Sequence, residues 1–300
     1  MPTTVGTRRP VALQPAQLQQ HAANMQFPRL AARFPRKRAF ITGAGSGLGL
    51  ALANALARDG WVLGLFDHNL ERLTAVEGEL SAAGVAVLAY PGDVTHADEL
   101  TVAVNTFATT HDGLDIMVNN AGVAVSGTLL EIPLEDWDWI TRINLLGVVH
   151  GCRAAIPHLQ RNRSGLLINV ASAAAFTSPP RVAPYNATKA AVVALSETLA
   201  SELRSSNTQV SVVMPAFFRS NLLESHRGDP EVRAAAQRLM DDSGYSAADV
   251  ARDVLKSATA GKTYIVLPRS ARFLWRAKRW MPTLFLNRIA RMRERSRRQS

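Results

Sequence analysis

The sequence predicts a doubly wound α/β domain with a mostly parallel, seven-stranded sheet. The predicted strands are apolar throughout, which is typical of parallel strands buried on both faces, and they alternate with segments of helical periodicity. A glycine cluster also joins the first strand directly to the first long helix. With 300 residues, 47% of them hydrophobic, the chain is long enough for one domain with a large core.

The predicted elements follow one another without a long internal linker. Gly60 and Gly84 end two helices, as glycine commonly does just after a helical C-terminus. Residues 219–247 interrupt the alternation with a polar, helix-prone insertion, which we interpret as a mobile lid. Strands are expected within residues 39–45, 61–67, 85–94, 114–122, 165–172, 209–217 and 262–268. Helices are expected within residues 46–60, 69–84, 96–113, 134–160 and 186–204.

Charge is distributed unevenly along the chain, although the formal net charge is +10. Residues 39–267 hold 16 basic and 23 acidic residues, whereas residues 1–38 hold seven basic residues and no acid. Residues 268–300 hold eleven basic residues and one acid, so any attraction to an anionic partner belongs to the ends. We expect a basic, disordered leader at 1–37, one folded domain at 38–268 and a basic, amphipathic extension at 269–300.

Composition also bears on the compartment. Cys152 is the single cysteine, which rules out an internal disulfide and favours a reducing, cytoplasmic location. The N-terminus lacks the apolar core of about 7–15 residues that a secretory signal needs. No apolar run reaches the roughly 18–20 residues of a membrane-spanning helix. We predict no metal site.

The glycine cluster reads TGAGSGLG over residues 42–49 and indicates a Rossmann-type nucleotide-binding turn. Glycine lets the backbone approach a pyrophosphate closely, and the helix N-terminus offers free N–H groups. Asp67 closes the second strand, where a carboxylate can accept hydrogen bonds from both ribose hydroxyls and would repel a 2′-phosphate. Because no basic residue follows Asp67 immediately, we expect NAD rather than NADP. Alternatively, the glycines only shape a turn and Asp67 caps the next helix.

Tyr185 and Lys189 are four residues apart in a segment with helical periodicity, so their side chains share one helical face. A free tyrosine has a pKa of about 10 and exchanges protons poorly at neutral pH. A neighbouring ammonium favours the phenolate, which makes the phenol a usable general acid or base. The alternative is a half-buried tyrosine beside a solvated lysine, and the spacing alone does not separate the two.

Five motifs occur in order along the α/β alternation. They are TGAGSGLG, GDV at 92–94, NNAG at 119–122, a serine at 172 and YNATK at 185–189. Together they resemble the single-domain branch of the short-chain dehydrogenase/reductase family, over roughly residues 38–268. The resemblance implies an NAD(P)-dependent oxidoreductase of the EC 1.1.1 type. Such an enzyme interconverts a secondary alcohol and a ketone with tyrosine as general acid/base.

The resemblance also implies a role for each matching residue. Tyr185 is the general acid/base, Lys189 binds the nicotinamide ribose and lowers the tyrosine pKa, and Ser172 hydrogen-bonds the substrate oxygen. Asn144 resembles a residue that holds a water in a proton relay; the alternative is a polar residue turned towards helix backbone. Ala216 replaces a glycine of the family pattern, which slightly restricts the loop near the nicotinamide. The implied cofactor-binding residues are Gly43, Ser46, Gly47, Leu48, Gly49, Asp67, Asp93, Val94, Asn120, Ala121, Gly122, Tyr185, Lys189, Pro215, Phe218 and Ser220.

The substrate is expected over Ser172 and Tyr185 and under the 219–247 insertion. No arginine or lysine pair is placed to clamp a phosphate or carboxylate. Arg181 and Arg219 are the exceptions, since each could bring a positive charge near the substrate. We therefore predict a lipophilic secondary alcohol or ketone that is steroid-, acyl- or retinoid-like. The alternative is that the candidate lining residues are ordinary core. Those residues are Ser172, Ala174, Phe176, Val182, Tyr185, Phe217, Leu222, Leu223 and Met240.

The basic extension interleaves aromatic and aliphatic residues with arginine, and Pro282 splits it into two predicted helices. This pattern suits an anionic membrane surface, which would make the protein peripheral at the inner face of a membrane. The alternatives are packing on the domain or on a second subunit, and nucleic-acid binding, which the acidic body disfavours. The resemblance also implies a homodimer or homotetramer formed through the helices at 130–160 and 185–205.

The sequence is compatible with two functions of different classes. The first is the dehydrogenase or reductase described above. The second is a non-catalytic nucleotide-binding sensor or scaffold with a membrane- or partner-binding tail. The joint presence of Asn144, Ser172, Tyr185 and Lys189 argues against the second, because a sensor needs no proton relay.

Overall fold

The computed structural model describes residues 27–162 and 164–288. Its main strands are β1 (Arg38–Thr42), β2 (Val62–Asp67), β3 (Val87–Pro91), β4 (Ile116–Asn119), β6 (Gly165–Val170), β7 (Thr208–Pro215) and β9 (Tyr264–Leu267). They form one sheet in the order β3-β2-β1-β4-β6-β7-β9, and all neighbouring pairs are parallel. The two-residue strands β5 (Val125–Ser126) and β8 (Arg227–Gly228) pair separately. The predicted seven-stranded fold is confirmed.

Helices cover both faces of this sheet. They are α1 (Pro28–Arg33), α2 (Gly47–Arg58), α3 (Leu70–Ala82), α4 (Ala97–Thr110), α5 (Leu134–Thr141), α6 (Gly147–Arg161), α7 (Ala174–Thr177), α8 (Ala183–Glu202), α9 (Pro230–Asp241), α10 (Ala247–Thr259) and α11 (Ala271–Trp280). Successive strand residues point to opposite faces, so Ile41 belongs to the core layer that includes residues of α2, α3 and α10, while Phe40 belongs to the layer that includes residues of α4, α6 and α8. Apart from the edge strand β3, whose residues are half-buried or exposed, the apolar strands are therefore buried on both sides, as predicted from their composition.

The single helix expected at residues 134–160 is wrong at its centre. Residues Arg142–Leu146 form a π-helical segment between α5 and α6. An inserted residue of this kind shifts the helical phase, and such segments frequently lie at functional sites. Asn144 lies within it and is fully buried. Apolar periodicity does not report a one-residue insertion, so the sequence pattern does not reveal this segment.

The disordered leader expected at residues 1–37 is wrong for residues 27–37. Phe27, Leu30 and Phe34 are buried in the core on the α2–α10 face, and the Phe34 ring meets Trp61 edge-on at 6.3 Å. The apolar side chains recur at i, i+3 and i+7, which is a helical period that the basic composition of the segment masked. Residues 1–26 lie outside the described residues.

A buried polar network fixes the helix that carries Tyr185 and Lys189. Asn119 on β4 donates to Asn169 on β6 at 2.9 Å, and Asn169 donates to Ser196 on α8 at 3.0 Å. Buried side-chain amides are costly unless they are paired, so these bonds favour one placement of α8 on the sheet. The network therefore sets where the N-terminal turns of α8 meet the carboxyl edge of the sheet.

We expect the Leu30→Ala substitution to lower the free energy of unfolding by about 2–5 kcal/mol, because Leu30 is fully buried and its truncation leaves a cavity. Urea unfolding followed by circular dichroism measures the change. Leu70→Ala, at an exposed position of α3, is the matched control. Equal stability of the two variants would show that the N-terminal segment does not pack on the domain.

Candidate active site

The carboxyl ends of the seven parallel strands meet at one edge of the sheet, and a cavity of about 860 Å³ lies along this edge. It runs from Asp67, at the end of β2, to Leu239 on α9. Ligands of open parallel sheets bind at this edge, because the loops that follow the strands collect there. The cavity therefore places the glycine turn and the tyrosine helix in one continuous space.

The glycine turn is pressed against the loop that follows β4. Gly43 has a φ of +64°, in the left-handed region, and a Cβ there would lie 2.9 Å from the Ala121 Cα. A methyl group on Gly49 would overlap the carbonyl oxygen of Gly43. The Asn120 side chain donates to the carbonyls of Thr42 and Gly43, both at 3.1 Å. These two glycines are thus required by close approach of backbone to backbone.

The N-terminus of α2 faces the cavity and suits a pyrophosphate. Ser46, Gly47 and Leu48 line the cavity, and the Ser46 side chain makes no capping hydrogen bond to the described chain. The first N–H groups of the helix have no partner within the helix and lie at the positive end of its dipole. An anionic phosphate can bind them, so the residues present fit a dinucleotide.

Asp67 lies at the adenosine end of the cavity. Its carboxylate accepts the Gly45 N–H at 2.8 Å and the Asn69 N–H at 2.9 Å. Asn69 caps α3 by accepting the Arg72 N–H at 3.0 Å, so the alternative that Asp67 caps this helix is wrong. The guanidinium of Arg72 also lines this end and pairs with Glu224 of the insertion at 2.7 Å. The sequence analysis missed Arg72 because it lies one helical turn beyond the residues that follow β2.

Three side chains converge at the other end of the cavity. Tyr185 and Lys189 project from α8, and Ser172 follows β6. The Ser172 Oγ accepts the Ala174 N–H at 3.1 Å, which leaves the hydroxyl hydrogen free to donate. The Lys189 Nζ donates to the Val170 carbonyl at 3.0 Å and lies 5.8 Å from the centroid of the Tyr185 ring. The structure therefore joins a donor, a phenol and an ammonium within one site.

Burial shifts the pKa of both titratable groups of α8. It raises the pKa of the Tyr185 phenol, and a hydrogen bond with Ser172 opposes the rise. The prediction of a lowered tyrosine pKa is therefore wrong for the chain by itself, because burial disfavours the phenolate. Burial lowers the pKa of Lys189 to about 8, so the amine is still mostly protonated at neutral pH. Its charge lies where it would favour the phenolate once proton transfer begins.

Asn144 does not line the cavity but supports the loop beside it. Its Oδ1 accepts the Val123 N–H at 2.8 Å, and its Nδ2 donates to the Val123 carbonyl at 3.0 Å. A Cβ on Gly122 would lie 3.2 Å from the Asn144 Oδ1 and 3.3 Å from the Lys189 Nζ. Asn144 and Lys189 thus both approach the Gly122 backbone, and the Asn144 amide is bonded to loop backbone rather than to helix backbone.

Comparison with known proteins agrees with this geometry. The sequence profile of the family described as short chain dehydrogenase matches residues 37–231. The chain belongs to the short-chain dehydrogenase family. A 3-oxoacyl-(acyl-carrier-protein) reductase, FabG, of Staphylococcus aureus (strain Mu50) is 34% identical over 190 residues, which cover 63% of this chain and 77% of that protein.

Solved structures show the same fold. A short-chain dehydrogenase/reductase from Burkholderia phymatum in complex with NAD has a TM-score of 0.78 and 29% identity, covering 83% of this chain and 94% of that one. An alcohol dehydrogenase from Thermococcus sibiricus complexed with 5-hydroxy-NADP has a TM-score of 0.67 and 28% identity, covering 77% and 95%. This short-chain dehydrogenase is therefore an oxidoreductase, as its motifs predicted, and its cavity suits a nicotinamide dinucleotide.

The short-chain dehydrogenase cavity collects nearly all the predicted site residues. Every predicted substrate residue lines it, as do Leu223 and Met240. Every predicted cofactor residue lines it except Gly49, which supports the glycine turn from behind. Arg181 and Arg219 do not line it; the guanidinium of Arg181 pairs with Asp229 and the side chain of Arg219 is exposed.

The insertion predicted at 219–247 lines the substrate end and is tied to the domain at several points. Strand β8 pairs with β5, and the Arg227 guanidinium lies 2.9 Å from Asp136 and 3.8 Å from the centroid of the Trp139 ring. Ser126 and His226 are 2.8 Å apart, and burial lowers the pKa of the imidazole. Sequence reasoning could not find these pairs, because their members are about a hundred residues apart.

We expect the stability of the wild-type enzyme to rise with pH relative to a Lys189→Met variant. The folded protein releases the Lys189 proton above a pKa of about 8, whereas the unfolded chain holds it to a pKa of 10.5. Stability therefore increases with pH within this window, by about 2 kcal/mol between pH 8 and pH 9.5. Urea titrations of both proteins at several pH values measure the difference, and parallel curves would contradict a buried, proton-releasing lysine.

Proposed function

We propose that this short-chain dehydrogenase interconverts a lipophilic secondary alcohol and its ketone, with NAD as cofactor and Tyr185 as general acid/base. One observation carries the proposal. The donor hydroxyl of Ser172, the Tyr185 phenol and the Lys189 ammonium line the same cavity as the glycine turn at Gly43–Gly49. A nucleotide sensor would need the glycine turn but not the group formed by Ser172, Tyr185 and Lys189.

Each residue has a separate task in this chemistry. When it is bound, the nicotinamide exchanges a hydride with the substrate carbon. Ser172 donates to the substrate oxygen and holds it close to the phenol. In the oxidation direction Tyr185 takes the hydroxyl proton, and in the reduction direction it returns one. Lys189 stabilises the phenolate, and its own pKa of about 8 suits proton exchange near neutral pH.

We expect Tyr185→Phe to lower kcat by about 10²–10⁴-fold, because the general acid/base is lost while the ring remains. Binding of NADH, measured by fluorescence titration, should be nearly unchanged. Tyr90→Phe, at a half-buried tyrosine of β3, is the control and should retain activity. Full activity of Tyr185→Phe would remove the proposed mechanism, and a wild-type protein that binds NADH without any turnover would favour the sensor.

The adenosine end supports NAD as the cofactor. The Asp67 carboxylate lies in the cavity, where its oxygens can accept hydrogen bonds from the ribose hydroxyls, and it would repel a 2′-phosphate. Arg72, a cation that would attract such a phosphate, is paired with Glu224. The similar structures bind nucleotides of both types, so only Asp67 and the paired state of Arg72 support NAD here.

We expect Asp67→Ser to reduce the preference for NAD over NADP, measured as the ratio of kcat/KM values, by roughly ten- to a hundredfold. The change removes the charged acceptor for the ribose hydroxyls of NAD and the repulsion of the 2′-phosphate of NADP. Together these two effects contribute about 1.5–3 kcal/mol to the preference. Asp98→Asn, at a carboxylate of α4 outside the cavity, is the control. An unchanged ratio for Asp67→Ser would show that cofactor choice is made elsewhere.

The substrate end supports a lipophilic molecule. Phe176, Val182, Leu222 and Met240 line it, and the cation of Arg181 is already held by carboxylates. An apolar cavity binds an alkyl or ring system through the area that it removes from water. The FabG relative is named for reduction of 3-oxoacyl chains, which supports the acyl type among lipophilic substrates.

We expect kcat/KM for a series of 2-alkanols to rise with chain length, by about three- to fourfold for each methylene that the cavity buries. Leu222→Ala should flatten this dependence while leaving the Kd for NAD unchanged. The formation of NADH, followed directly by its absorbance, measures the rate. Activity confined to short, polar alcohols would contradict a lipophilic substrate.

A further inference from the structure

We propose that the outward face of α11 binds the surface of an anionic membrane. This interfacial face consists of Phe273, Leu274, Trp280 and Met281, and all four side chains are exposed. No helix among residues 27–162 and 164–288 is long and apolar enough to cross a bilayer. The proposed contact is therefore that of a helix lying in the interface.

Packing on the domain accounts for only the opposite face of α11. Ala271 is buried, and the Trp275 ring lies 5.2 Å from the ring of Tyr264. Arg272 donates to the Val266 carbonyl at 3.2 Å. These contacts fix the orientation of the helix on the sheet edge. The alternative that the apolar residues of the extension pack on the domain therefore accounts for this side only.

The interfacial face forms one continuous apolar stripe. Its members lie at positions i, i+1, i+7 and i+8, which share one side of a helix. Trp280 is 83% exposed and Phe273 is 75% exposed, so two of the three aromatic side chains of α11 contact solvent. Aromatic residues with this exposure are typical of helices that insert into the headgroup region.

Positive charge borders the stripe on both sides. Arg276 and Lys278 flank it on the helix, and residues 268–300 hold eleven basic residues and one acid. Each such charge near an anionic surface contributes roughly 1 kcal/mol. A two-fold contact between copies of this face would bring like charges together, which disfavours a second subunit as the occupant. A nucleic acid would pair with the cations but leave the stripe exposed.

The interfacial face adjoins the substrate cavity. Leu274 belongs to the face and also lines the cavity, and the exposed side chains of Phe217 and Leu239 line the cavity as well. A membrane bound at α11 would therefore lie beside the cavity wall through which a lipid could enter. This consequence rests on the proposed lipophilic substrate, whereas membrane binding itself does not.

Vesicle flotation with the full chain tests the proposal without any substrate. We expect at least about tenfold stronger binding to phosphatidylcholine vesicles containing about one third phosphatidylglycerol than to pure phosphatidylcholine, and weaker binding at high salt. Replacing Phe273 and Trp280 together with serine should weaken binding by roughly tenfold or more. Leu130→Ser, at a side chain that is 96% exposed beside the acidic Glu131, is the matched control and should bind normally.

Three outcomes would overturn the proposal. They are absence of binding to the anionic vesicles, equal binding to both vesicle types, and a Phe273→Ser/Trp280→Ser variant that floats like the wild type. Loss of oligomers in that variant without loss of flotation would assign the face to a subunit contact. Circular dichroism and NADH binding confirm that the variant is folded. Flotation can succeed when every alcohol tested is inert, so the two proposals fail separately.

Discussion

The Asn120 carboxamide holds together the two strand ends on which the active site depends. It donates to the carbonyls of Thr42 and Gly43, so the loop after β4 lies directly against the turn after β1. At this distance no side chain fits at Gly43 or Gly49. The same contact leaves the N-terminus of α2 open to the cavity. The Asn120 amide thus couples the nucleotide turn to the loop that follows β4, and that loop is bonded through Val123 to Asn144.

The proton-transfer site depends on a second chain of buried polar contacts. Asn119, Asn169 and Ser196 fix α8 on the sheet, and Asn144 fixes the loop opposite Lys189. Burial raises the tyrosine pKa and lowers the lysine pKa, so it disfavours the charged form of each group. Forming the phenolate is therefore costly in the protein by itself, and a bound cofactor and substrate would help to stabilise it.

The periphery of the domain completes the cavity. The insertion at 219–247 reaches across to Arg72, Asp136 and Ser126, so it contacts both the cofactor end and the substrate end. Helix α11 closes another part of the wall with Leu274, while its Phe273 and Trp280 side chains remain in solvent. The insertion and α11 are therefore the elements that border substrate access, and α11 also carries the proposed membrane-binding face.

The sequence by itself determined the sheet, the order of its elements and the identity of the groups around Tyr185 and Lys189. These features follow from local patterns. Strand composition, the glycine spacing at 42–49 and the four-residue interval between Tyr185 and Lys189 each involve residues that are close together in the chain. Tertiary structure decided the π-helical segment at Asn144, the packing of Leu30, the Arg72–Glu224 pair and the exposed side of α11. The packing of Leu30, the Arg72–Glu224 pair and the orientation of α11 depend on contacts between segments far apart in the chain, and a local pattern does not say which segments meet. The π-helical segment is a one-residue change of phase that apolar periodicity does not report.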